Sequence, residues 1–184
     1  LDIMRTMEWN LCVLPPVSAS ILFLMPELGA LSTYTIVRSK NIRRWWLMRL
    51  AAVVVINYVF FLFALVLLSL ISGAELLLAE WSTAAVLFPL HTTLLSSLCA
   101  GGMILFTSRA TIIFYLLVEC GLLAVGMAYP PVSLFLPPYW GMAQAMGDSF
   151  SSAVAVSVFL LIVLNLGIIY WLSRHNPAAN PQSK

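Results

Sequence analysis

LAAVVVINYVFFLFALVLLSLISGA, residues Leu50 to Ala74, decides the class of this chain. It holds no charge and no proline, and Asn57 is its one amide. About 20 apolar residues rising 1.5 Å each cross a hydrocarbon slab, so this run is long enough to span. Further uncharged runs follow from Trp81 to Ser108, from Cys120 to Gly147 and from Ser149 to Ser173. Across all 184 residues, 62% are hydrophobic and 9% charged, against roughly 45–50% and about 25% in an average soluble domain. A soluble core cannot hide that much apolar surface. In lipid the backbone must bond within its own segment, and the period-2 alternation of a membrane barrel is missing, which leaves helices. The sequence therefore predicts an all-α, polytopic transmembrane bundle forming a single domain over 1–184.

Working outward from Leu50, five spans are expected at about 11–31, 50–72, 82–106, 110–129 and 151–172. The first carries Pro15, Pro16, Pro26 and Glu27, so a kinked or late-starting helix is expected, because proline removes a donor and clashes with the preceding turn. Residues 33–49 hold Arg38, Lys40, Arg43, Arg44 and Arg49, with Trp45 and Trp46 among them, as the one basic cluster. Between the last two spans lies PPVSLFLPPYWGMAQAMGDSF, from Pro130 to Phe150. Its four prolines exclude one straight helix, so residues 130–148 are expected to form a re-entrant outer hairpin or an interfacial loop anchored by Tyr129, Tyr139 and Trp140.

Short loops rich in Lys and Arg stay in the cytoplasm. Placing the basic cluster inside also puts Arg109, Arg174 and Lys184 inside and leaves Arg5 outside, with Asp2, Glu8, Glu75, Glu80 and Asp148 on the outer face. The C-terminus is then cytoplasmic. This alternation starts the first span from outside, and the chain opens on Leu1 without a recognisable leader. A sixth helix before Leu1 is therefore expected in the intact protein.

Candidates for chemistry are few. His91 and His175 cannot form a metal pair on one helix, and Cys12, Cys99 and Cys120 read as buried apolar side chains, so neither a metal site nor a disulfide framework is expected. Gly101–Gly102 lacks the context of a phosphate loop. Glu119, near the middle of the fourth span, is costly to ionise there. It reads as a gate, proton or substrate contact, or as a carboxyl bonded to Ser, Thr or Asn57 of a neighbouring helix. Glu27 reads as a partner of the basic segment, and His91 as an interhelical hydrogen-bonder. In YTIVRSKNIRRWWLMRL, Tyr34 to Leu50, Ile42, Trp45 and Trp46 could reach the bilayer interface while Arg38, Arg43 and Arg44 reach water. A short amphipathic helix fits, touching anionic lipid or a cytoplasmic partner. Held between two spans, it is not expected to bind nucleic acid.

That segment, two spans, a tight inner turn, another span and a proline-rich outer hairpin before the last span together resemble the ABC-2-type permeases of bacterial ATP-binding-cassette exporters. The likeness covers nearly the whole chain, with the family's first helix missing, and is strongest to small permeases of Gram-positive bacteria. Many members carry an acidic and basic run at the inner segment that this chain lacks, which leaves the substrate open. The resemblance implies a dimer with a second permease chain, the same or homologous, each resting on a cytoplasmic ATPase. Tyr34, Arg38, Lys40, Asn41, Ile42, Arg43, Arg44 and Trp45 would couple to that ATPase. Glu27, His91, Glu119, Tyr139 and Trp140 would line the path or its gate. Without a G-x-x-x-x-G-K-[ST] sequence the chain binds no cofactor itself, and ATP and Mg²⁺ belong to the partner. The expected function is export of a peptide, lipid or drug across a bacterial plasma membrane, with no catalysis by this chain. The alternatives are a substrate-binding membrane subunit of a vitamin-uptake transporter and an intramembrane enzyme using Glu119 or His91.

Overall fold

The computed structural model describes residues 3–28, 41–72, 78–105, 108–129, 131 and 150–174. Among these, all but Asn41 and Tyr129 are helical, and no strand occurs. The described residues form five long helices: α1 (Ile3–Leu28), α2 (Ile42–Ser72), α3 (Leu78–Leu105), α4 (Ser108–Ala128) and α5 (Phe150–Arg174). Four of them, α2 to α5, are long and apolar enough to cross a membrane, which makes this a multi-pass membrane protein. The described apolar stretch of α1 is Cys12–Met25, within an uncharged run from Trp9 to Pro26.

Two expectations need correction. Of the two forms expected for the first helix, the late start is corrected: the helix starts at Ile3 and is helical through Pro15 and Pro16. Residues 42–49 do not form a separate helix on the bilayer surface: they are the opening turns of α2 and run into the span without a break. Nor do Ile42 and Trp46 face the interface. They are 8% and 2% exposed and pack inside the bundle with Leu24 of α1, Ala100 of α3, and Ile168 and Leu172 of α5. The expected outer hairpin lies outside the described residues, as does the part of the basic segment from 33 to 40.

The helices alternate in direction. The start of α2 packs on the ends of α1, α3 and α5, and Thr111 in the first turn of α4 approaches Gly102 near the end of α3. One end of the bundle thus gathers Arg43, Arg44 and Arg49 with Arg174 of α5, and Arg109 sits in the first turn of α4 at that same end. There the Arg49 guanidinium lies 5.5 Å from the Phe23 ring centroid and 6.0 Å from that of Trp45. Asn41 caps α2, its Oδ1 accepting from the Arg44 backbone N–H at 3.0 Å.

The middle of the bundle is α3, which packs against all four other helices. Every residue from His91 to Ser97 is buried, so this stretch has no face toward lipid. Its proline is tolerated for a local reason. Pro89 leaves the carbonyl of Ala85 without its helical donor, while Thr92 Oγ donates to the carbonyls of Phe88 and Pro89 at 3.0 and 3.1 Å and ties the turn together.

Candidate functional site

HTTLLSS, residues His91 to Ser97 of α3, brings five buried polar side chains into the core. A buried polar group in lipid must find a partner on another helix or on its own backbone. Here it reaches every neighbour. Toward α2, Thr93 Oγ accepts from Asn57 Nδ2 at 3.1 Å, and Asn57 Oδ1 accepts from Ser20 Oγ of α1 at 3.4 Å. Toward α5, Ser97 Oγ accepts from Asn165 Nδ2 at 3.3 Å, which also donates to the Leu161 carbonyl at 2.8 Å. Asn165 Oδ1 in turn accepts from the Trp46 indole N–H at 2.8 Å, joining α5 to the basic end of α2. Toward α4, His91 Nε2 lies 3.2 Å from Glu119 Oε1.

This last contact is the chemical centre of the bundle. The two side chains are 1% and 2% exposed. Glu119 stands in the middle of α4, about 16 Å along the helix from its first residue, where an ionisable group faces the bundle interior or a cavity. The structure brings together two residues that the sequence singled out separately. Asn57 is occupied with Thr93 and Ser20, and the imidazole of α3 meets the carboxyl. An imidazole and a carboxyl in contact can hold one proton between them or pass it along.

Beside Glu119 a groove of about 800 Å³ runs between α4 and α5, floored by the second half of α3. Leu95, Cys99, Phe114, Tyr115, Val163 and Trp171 are among its lining residues. Glycines line its floor and one wall, Gly101 and Gly102 on α3 and Gly167 on α5. A Cβ added at Gly167 would meet nothing within 4 Å, whereas one at Gly102 would come within 2.7 Å of Thr111 Cγ2. Among the described residues, Glu119 is the one charged residue in the lining, which there contains no Lys, Arg or His. No group of three or more His, Cys, Asp or Glu able to hold a metal occurs among the described residues.

The other anticipated residues fall elsewhere. Asn41, Ile42, Arg43, Arg44 and Trp45 form the start of α2. Arg43 and Arg44 are exposed, Trp45 is half-buried, and a shallow surface groove of about 410 Å³ runs beside Asn41, Arg43, Arg44, Leu47 and Met48. Glu27 belongs to the last turn of α1, at the same end of the bundle as these arginines and far from Glu119 along the helix axis. Tyr34, Arg38, Lys40, Tyr139 and Trp140 lie outside the described residues. Sequence reasoning missed Trp46 and Asn165 as a bonded pair. The available signal was an amide in the middle of an apolar run, a costly placement unless a donor or acceptor comes from another helix. The chain matches no protein-family model, no curated protein and no solved structure.

Proposed function

We propose that this chain is the transmembrane permease subunit of an ATP-binding-cassette exporter, moving an amphipathic or hydrophobic substrate with ATP hydrolysed by a separate cytoplasmic ATPase. The observation that carries the reading is the start of α2. Exposed Arg43 and Arg44 stand on the same turn as Ile42 and Trp46, which are locked into the bundle. Such an end offers cations and a shallow groove to a partner while remaining one rigid piece with the span. A push on it would reach α5 through the Trp46–Asn165 bond and α1 and α3 through the packing around Ile42 and Trp46. ATP can drive such a shift only if the partner holds the two states with different free energies. In this reading the arginine-rich end faces the cytoplasm of a bacterial cell, as the positive-inside rule requires, a second permease chain completes the path, and this chain is not itself an enzyme.

The test is co-purification, in detergent, of the full-length protein with the ATPase encoded beside it. Arg43→Glu with Arg44→Glu is expected to weaken association at least tenfold. Both side chains are exposed, so their loss should change stability by only about 0.5 kcal/mol. If the intact protein holds no ATPase, the exporter reading fails. A substrate-binding membrane subunit of an uptake transporter is the second reading. The groove beside Glu119 favours it, and a small molecule retained through purification by the chain alone would support it.

A further inference from the structure

The groove between α4 and α5 combines three properties that a plain lipid-filled crevice does not need. It has the volume of a small-molecule site, about 800 Å³, within the usual span of roughly 300–1,000 Å³. Its wall presents aromatic rings, Phe114 and Tyr115 from α4 and Trp171 from α5. Among the described residues, its only charged lining residue is an acid at mid-membrane depth. An acyl chain would gain nothing from a carboxyl at that depth. A bulky cation would gain both from the carboxylate and from the faces of the rings.

We infer that this groove binds a lipophilic monocation, an aromatic or alkyl onium or amine, with its charge next to Glu119 and its apolar body against Phe114, Tyr115 and Trp171. His91 fits the assignment. Its Nε2 lies 3.2 Å from Oε1, where an Nε2–H tautomer would donate to a carboxylate and leave the pair one negative charge for the ligand to neutralise. The apolar walls exclude water, which strengthens the attraction, and the shortage of charge elsewhere in the lining excludes solutes that bring more than one. The inference rests on the groove alone and requires neither an ATPase nor the exporter reading.

The experiment is equilibrium binding of tetraphenylphosphonium to the full-length protein in phosphatidylcholine nanodiscs, with empty nanodiscs as the partition background. Tetraphenylborate, of the same shape and opposite charge, is titrated separately. The phosphonium should bind saturably and at least about tenfold tighter than the borate, the scale of one charge-assisted contact. Glu119→Gln keeps the shape and the acceptor facing His91 and should remove that preference. Gly167→Phe should abolish binding, since Gly167 lines the groove and open space around its Cβ lets the ring occupy it. Gly121→Leu, an enlargement on α4 whose Cβ also meets nothing and which is not among the lining residues, should leave binding intact. Equal binding of both ions, no saturable binding of either, or unchanged binding in Gly167→Phe would each overturn the inference. Should Glu119→Gln fail to fold, the contrast between the two ions in the unaltered protein and the Gly167→Phe result still decide it.

Discussion

Helices α2 and α3 are both long enough to span a membrane, yet they occupy opposite places in the bundle. Along its apolar stretch α2 is 17% buried, with Val55, Val59, Leu62, Phe63 and Val66 facing outward, whereas α3 is 61% buried. The more apolar helix is on the outside. In water the order would be reversed. In a bilayer, lipid tails are as apolar as leucine, so burying a leucine gains little and helices are held by close packing and by polar contacts. The residues that make α3 the less hydrophobic helix are those that make it central: His91, Thr93 and Ser97 each bond to a different neighbour, directly or through an amide.

The comparison breaks most readily at the His91–Glu119 contact. His91→Ala leaves a buried carboxyl without its imidazole and is expected to cost about 3 kcal/mol, since truncating one member of a buried pair is far worse than replacing both. Unfolding of the purified protein in denaturing detergent measures it, and His91→Leu combined with Glu119→Leu should recover most of the loss. A single substitution as mild as the double one would show that the pair contributes little. Next in size is Gly102→Ala, whose Cβ would lie 2.7 Å from Thr111 Cγ2. Separating α3 from α4 there should lower stability by about 1–2 kcal/mol. The same change at Gly121, with open space around its Cβ, should be neutral or slightly stabilising, by less than about 1 kcal/mol, through helix propensity. The smallest effect belongs to the outer face of α2. Leu62→Ala removes as much side chain as a core truncation and should move stability by no more than about 0.5 kcal/mol. A loss of several kcal/mol at Leu62 would mean that this face is covered by protein rather than lipid.

The spanning helices were legible because lipid writes its demand in one dimension. A run such as Leu50 to Ala74 must be a helix whatever lies beside it. The alternation of direction was likewise foreshadowed by where the arginines fall. What joins the helices was not legible. Glu119 stood out as an acid in an apolar run, but spacing within α4 says nothing about which residue of α3 it meets. His91 and Glu119 were therefore two separate oddities until the fold brought them to 3.2 Å. The start of α2 misled for a related reason. Tryptophan beside arginine ordinarily signals the membrane interface, and only the partner's position, Asn165 near the far end of the chain, turns the Trp46 indole inward. The glycine-lined groove was equally hidden, since a space between helices is a property of three segments at once.

The placement of the two buried polar anchors of α2 has a consequence for how that helix can move. Trp46 and Asn57 lie three turns apart on the same face and fasten the basic half of α2 to α5, α3 and α1. Beyond Asn57, among the side chains whose exposure is described, Phe61 alone is buried, its ring 5.7 Å from that of Phe88 on α3. The remaining stretch, about 22 Å from Asn57 to Ser72 at 1.5 Å per residue, is a cantilever: clamped along one half, free along the other. A swing of about 10° about the clamp would carry its tip roughly 4 Å sideways through lipid over that length, and among the described residues the bonds of α2 to other helices lie at Trp46 and Asn57, within the clamp. Stiffness therefore falls off along α2 from its arginines toward its far end.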